Sequence, residues 1–182
     1  MSLYEVNTSF CFMRTDPADF HIPFHSHRCF ELVYYFSGKG HCKVDGTLFE
    51  YEKGCYVLIP PDAPHNDEHT EKCHLLCVGF TLARDYSFLH KMVGTDNSRR
   101  IGSHLKIIDS ELKDKQDDFV SVVNNCMSNV LTEIKRAGSP STSRLISHQD
   151  LLTQAVHYID EYFLSDITPE QLTEMTNYSY HR

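Results

Sequence analysis

Nowhere in these 182 residues does an apolar run approach the ~20 residues of a membrane-crossing helix. The polar N-terminus also lacks the apolar core of a secretory signal. A cytoplasmic protein without a membrane partner is therefore expected. Cations are scarce: 17 Lys and Arg stand against 25 Asp and Glu. The resulting net charge of −8 is unfavourable for a piece that must grip phosphates by itself. The seven cysteines are an odd number and lie singly, at Cys11, Cys29, Cys42, Cys55, Cys73, Cys77 and Cys126. That pattern excludes a disulfide framework and suits free thiols in a reducing compartment. Internal repeats and low-complexity segments are missing as well.

What is present is enough for one domain with its own core plus an appendage. From about residue 4 to 82 short strands alternate with tight turns. Cys29–Phe36 is aromatic and β-branched and ends at Ser37-Gly38-Lys39-Gly40. His41–Val44 and Thr47–Tyr51 flank Asp45-Gly46, a pair that favours a two-residue type I′ hairpin. Cys55–Ile59 follows Glu52-Lys53-Gly54 and is stopped by Pro60-Pro61-Asp62-Ala63-Pro64. Cys73 and Cys77 invite a zinc reading, but their apolar run Cys73–Phe80 reads as a buried strand. Strands this close together imply an antiparallel sandwich or small barrel.

After about residue 84 the period becomes helical. Lys115–Arg136 places Phe119, Val122, Val123, Cys126, Val130 and Ile134 on one stripe. This helix either covers the sheet of its own subunit or forms a dimer contact. Gly138-Ser139-Pro140-Ser141-Thr142-Ser143 reads as a stop and a link. A second amphipathic helix turns Leu151, Leu152, Ala155, Val156, Ile159 and Phe163 inward.

The chemistry concentrates in His25-Ser26-His27-Arg28-Cys29-Phe30-Glu31, followed by Gly38. Strand alternation puts His25, His27 and Glu31 on one wall. The segment from Gly54 to Pro64 can bring in His65 from another strand. Neutral imidazoles with a carboxylate suit Zn, Ni, Mn, Fe or Co, with open positions left for water or substrate. Alternatively, the four side chains hydrogen-bond one another and a water. Tyr35 shares the Glu31 face, where it either stacks on a ligand or packs the barrel with its hydroxyl satisfied.

These two segments resemble the cupin superfamily, over about 60 residues. The resemblance implies a cupin (double-stranded β-helix, jelly-roll) barrel, with His25, His27, Glu31 and His65 as metal ligands. The chain departs from the pattern at Asp19 and Asp62, where the family has Gly, and at His69, where it has Asn. These departures set it apart from the enzymes.

The C-terminal residues carry a second resemblance. Ile167-Thr168-Pro169-Glu170-Gln171-Leu172 reads as a capping box with Pro at the first helical position. Asn177-Tyr178-Ser179 then reads as a turn and a new cap. With Ala155–Phe163, this segment is similar to the entry of an AraC/XylS-type DNA-binding domain, over about 25 residues. The bland alternative is a terminal helix hairpin.

Together the resemblances imply three parts: a cupin-like barrel over 4–82, a helical dimerisation and linker region over 83–150, and an incomplete helix-turn-helix start over 151–182. The chain stops at Arg182, where a recognition helix would begin. The expectation is thus the effector-sensing, homodimeric portion of a transcription regulator. Its barrel binds a sugar or other small polar effector through His25, His27, Glu31, Tyr35 and His65, and only the full-length protein binds DNA. No catalytic residue and no enzymatic activity are expected. The rival is a metal-dependent cupin enzyme of isomerase or dioxygenase type.

Overall fold

The computed structural model describes residues 5–84, 89, 93–138, 153, 155, 156, 159, 160 and 168–176. Strands β1 (Val6–Asp16), β2 (His21–His25), β3 (Phe30–Ser37), β4 (Gly40–Val44) and β5 (Thr47–Tyr51) come first. They are followed by β6 (Cys55–Ile59), β7 (His65–His69), β8 (Cys73–Leu82) and β9 (Val93–Thr95). Helices α1 (Arg100–Asp114), α2 (Phe119–Gly138) and α3 (Pro169–Thr176) complete the described elements.

The strands form two antiparallel sheets, ordered β1-β8-β3-β6-β9 and β2-β7-β4-β5. This is the mainly β, cupin-type jelly roll with C-terminal helices that the sequence implies. Turn chemistry sets the register. Asp45 and Gly46 have φ of 46° and 80°, the pair of positive values that a type I′ hairpin needs, and Val44 pairs with Thr47 across it. Asp19 and Asp62, the two positions that depart from the family's glycines, both adopt φ of 60°. Aspartate tolerates that left-handed region better than most residues, so the turns survive the substitution.

The five-stranded sheet is covered on both faces, which is why β3, β6 and β8 read as continuous apolar runs. Its inner face (Val33, Tyr35, Cys55, Val57, Ile59, Leu75 and Cys77) meets Cys42, Val44 and Tyr51 of the smaller sheet. Its outer face (Leu32, Tyr34, Tyr56, Leu58, Leu76, Val78 and Phe80) packs under α1 and α2. The α2 stripe Val123, Cys126, Val130 and Ile134 is buried there, so this helix covers its own sheet. Asn124 Oδ1 also accepts the Thr8 backbone N–H at 3.0 Å, beside the bulge in β1. Cys73 and Cys77 are buried in β8 as free thiols. Burial pushes the Cys73 thiol up to about 11.

Helix α1 lies inside the region whose only helix was expected at Lys115–Arg136. Its first turn is held by Asp96, which accepts Gly102 N–H at 2.9 Å and the Tyr34 hydroxyl at 3.2 Å.

The compact units are Met1–Pro140 and Ser141–Arg182, so the barrel, α1 and α2 share one unit. In the second unit Ala155 is buried, but Val156 and Ile159 are exposed at 56% and 39%. The expectation that Val156 and Ile159 turn inward with Ala155 is corrected accordingly: an apolar stripe in sequence does not ensure a partner for every member. Leu151, Leu152, Phe163, the link after Gly138 and the Asn177–Ser179 turn lie outside the described residues. None of the described helices is long and apolar enough to cross a membrane.

Candidate metal centre

Two loops and three strands converge on one end of the barrel. β2 delivers His25, β3 delivers Glu31 and β7 delivers His65, with His25 paired directly to His65 across the strands. The Asp62 N–H donates to the His27 carbonyl at 2.8 Å, tying the two motif segments together. Donor atoms of His25, Glu31 and His65 all lie within 4.8 Å of one another. The His25 and His65 ring centroids are 4.1 Å apart. Glu31 and His65 are buried, whereas His25 is exposed and opens the group towards solvent.

The tautomers follow from the backbone. Nδ1 of His25 lies 3.0 Å from the Pro23 carbonyl, and Nδ1 of His65 lies 2.9 Å from the Ala63 carbonyl. A carbonyl only accepts, so both Nδ1 atoms carry the proton and a neutral ring leaves Nε2 bare. Nε2 of His65 is buried without a hydrogen-bond partner among the described residues. It faces Glu31 Oε2 at 3.3 Å, outside hydrogen-bond geometry. A lone pair facing a carboxylate is costly unless a cation or proton stands between them. Ligands bonded at about 2.0–2.1 Å to one ion lie about 2.9–3.4 Å apart, and the His65–Glu31 pair stands at that separation. The donor set thus fits a borderline divalent ion.

His27 is close but differently engaged. Its Nδ1 lies 2.9 Å from the Cys29 carbonyl and its Nε2 2.9 Å from Glu31 Oε2, so both ring nitrogens have acceptors. It lies outside the compact group of three and bonds the same carboxylate oxygen that His65 faces. Tyr35 faces inward as expected, but its hydroxyl donates to Asp67 Oδ2 at 2.7 Å and its ring stacks on Tyr51 at 3.6 Å. Of the two readings for Tyr35, satisfied barrel packing describes its contacts.

Burial alone would raise the Glu31 carboxyl, yet the adjacent His65 and His27 imidazoles outweigh it and hold the group below its ordinary value. For His65, burial would lower the imidazole, but the Glu31 carboxylate and the Ala63 carbonyl together raise it. A metal at this site would therefore compete with a proton for the same buried nitrogen.

The group borders a cavity of about 80 Å³, lined on its apolar side by Val33, Val57, Ile59, Leu75, Cys42 and Cys77. Asp67 and Arg14 also reach it. Asp67 begins a buried polar chain that the sequence reading missed. Tyr51 donates to Asp67 and also lies 2.7 Å from His69 Nδ1; His69 Nε2 is 3.1 Å from Asp16 Oδ2, and Arg14 closes on that oxygen at 2.8 Å. Burial raises the Asp67 carboxyl in spite of the two tyrosine hydroxyls. The signal available in sequence was alternation from His65, which puts Asp67 and His69 on the same face.

Residues 11–79 match the family model for the cupin domain. No curated protein matches the chain. Among solved structures, the chain is similar to a salicylate 1,2-dioxygenase from Pseudaminobacter salicylatoxidans at 17% identity and a TM-score of 0.37. That match covers 38% of this chain and 20% of the dioxygenase. An oxalate decarboxylase from Bacillus subtilis, described with Mn(II) centres, is 16% identical with a TM-score of 0.37. That likeness covers 41% of this chain and 22% of the decarboxylase. An RmlC-like cupin from Shewanella frigidimarina is 20% identical, with a TM-score of 0.39 and coverages of 45% and 71%.

The match over residues 11–79 thus coincides with the jelly-roll barrel and with a candidate His/Glu metal site. The expectation that the chain is no enzyme does not stand: a dioxygenase and a decarboxylase are among the solved structures to which it is similar. Asp19 and Asp62, the departures expected to set it apart from enzymes, both adopt left-handed turn conformations here.

Proposed function

We propose that the barrel is a metal-dependent cupin centre acting on a small molecule, with His25, Glu31 and His65 as the protein ligands. One observation carries this reading: the bare, buried Nε2 of His65, which faces a carboxylate without a hydrogen bond. A bound divalent ion would supply Lewis acidity and open coordination positions. The chain's own residues do the rest. Glu31 stays anionic, His27 holds its carboxylate, and the Pro23 and Ala63 carbonyls keep Nε2 of His25 and His65 bare. The Val33, Val57, Ile59 and Leu75 wall excludes water from the apolar part of the substrate, and the small cavity restricts that substrate to a compact body. Isomerase- or dioxygenase-type chemistry fits such a centre. The test is a panel of small polar and aromatic substrates offered to metal-loaded protein. Turnover lost on chelation and in His65→Ala supports the reading; turnover that survives both contradicts it.

A second reading is favoured by α3. Helix Pro169–Thr176 starts where the sequence sets the capping box, with Leu172 N–H reaching the Thr168 carbonyl at 3.4 Å. This supports an effector-sensing, homodimeric part of an AraC/XylS-type regulator, in which the same pocket binds rather than converts its ligand. The gene beyond codon 182 discriminates. A basic helix-turn-helix there favours the regulator, and an unrelated sequence removes it.

A further inference from the structure

The twelve histidines are not absorbed by the barrel site. Two of them, His21 and His41, are 20 residues apart in sequence and show no motif, yet the smaller sheet brings them to one carboxylate. His21 pairs with Glu68 across β2 and β7, and His41 pairs with the same Glu68 across β4 and β7. His65, Asp67 and His69 face the interior, so alternation turns Glu68 to the opposite, outer face. Nδ1 of His21 lies 3.6 Å from Glu68 Oε1, and Nε2 of His41 lies 3.0 Å from Glu68 Oε2. The next residue in the row is again a carboxylate, Glu50, paired with His41 across β4 and β5.

We propose that His21, Glu68 and His41 form a second, surface site for a borderline divalent cation such as zinc(II), on the outer face of the four-stranded sheet. The site is independent of the barrel centre and does not rest on the function proposed for it. Two imidazoles and a carboxylate are the donor set of open, three-ligand zinc sites. The two nitrogens stand 3.6 and 3.0 Å from opposite oxygens of the one carboxylate, so both rings must turn towards each other to share an ion. Both imidazoles are partly exposed, with side-chain exposures of 53% and 36%, and can swing inward on Glu68 without disturbing the core. The carboxylate is already held: Asn66 Nδ2 donates to Glu68 Oε1 at 3.2 Å, and Asn66 Oδ1 accepts the Lys43 N–H at 2.9 Å. Such outer support orients a ligand before the ion arrives. As plain ion pairs, exposed contacts of this kind contribute little.

The test is zinc(II) titration of chelator-stripped protein by calorimetry, repeated with cobalt(II) followed by its visible absorption. His41→Ala and Glu68→Gln are each expected to remove one equivalent, or to weaken it by at least roughly tenfold. The same loss is expected in a His25→Ala/His65→Ala background, where only the surface site remains. If that background does not fold, the comparison of wild type with His41→Ala decides alone, since His41 is at the surface. Stoichiometry and affinity unchanged by His41→Ala and by Glu68→Gln would overturn the proposal. Failure of the barrel centre would look different: wild type would bind one equivalent, and His41→Ala would abolish it.

Discussion

Nε2 of His65 and Oε2 of Glu31 face each other at 3.3 Å inside the barrel, buried and without a hydrogen bond between them. That relationship links the backbone to the chemistry. The Ala63 carbonyl fixes the His65 tautomer, the tautomer bares Nε2, and the bare nitrogen meets an anion. Removing either partner should abolish metal-linked stabilisation. With a divalent ion at a hundredfold excess over its dissociation constant, the wild type gains about 2.7 kcal/mol. Thermal unfolding of His65→Ala and Glu31→Gln with and without the ion should show most of that gain lost.

The same pair sets a pH signature in chelator-stripped protein. The Glu31 carboxyl is lowered from 4.5 on folding, so its contribution is present above pH 4.5 and is lost as pH falls through the lowered value. His65 is raised from 6.5, so its contribution is present below pH 6.5 and is lost as pH rises through the raised value. The stability difference between wild type and Glu31→Gln should therefore be largest between pH 4.5 and 6.5 and shrink on both sides. Urea denaturation at a series of pH values checks this; a difference that keeps growing above that window contradicts it.

Tyr51 is the joint of the buried polar chain, since its hydroxyl meets both Asp67 and His69. Tyr51→Phe keeps the stack on Tyr35 but leaves two buried polar groups short of a partner. A loss of about 1–3 kcal/mol is expected. Tyr35→Phe removes a bond to Asp67 alone and should cost less. Equilibrium unfolding of the two variants tests the order.

Glycines at positive φ separate strain from collision. Gly46, with φ of 80°, has open space where a Cβ would stand, so Gly46→Ala should cost only the backbone penalty of about 1–2 kcal/mol. Gly38, with φ of 94°, would bring that atom to 2.5 Å from Cys73 Sγ and 2.6 Å from the Lys72 carbonyl. Gly38→Ala should therefore cost more, roughly 2–5 kcal/mol, from strain and overpacking together. Midpoint temperatures of the two variants give the comparison.

What could be read from sequence was whatever is local. The hairpin at Asp45-Gly46 follows from turn chemistry, but the single strand expected to align His25, His27 and Glu31 is corrected: His25 ends β2 and Glu31 lies in β3, strands of different sheets joined by residues 26–29. The Asp19 and Asp62 departures looked chemical but are conformational: both occupy the left-handed region that glycine would fill. Strand β7 was not legible, because His65-Asn66-Asp67-Glu68-His69 is polar throughout and its burial arises from a polar network inside the barrel. Helix α1 escaped because its first turn is held by Asp96, which also takes the distant Tyr34 hydroxyl, rather than by a cap beside it. The row His21–Glu68–His41 exists only through the registers of three strands, which no sequence spacing encodes.

The most direct test of the metal centre is anomalous diffraction from crystals of chelator-stripped protein soaked in manganese(II). The account predicts a peak within bonding distance of His25 Nε2, His65 Nε2 and a Glu31 carboxylate oxygen, absent in His65→Ala. An empty centre, with a water hydrogen-bonded to His65 Nε2 at saturating manganese, would contradict it.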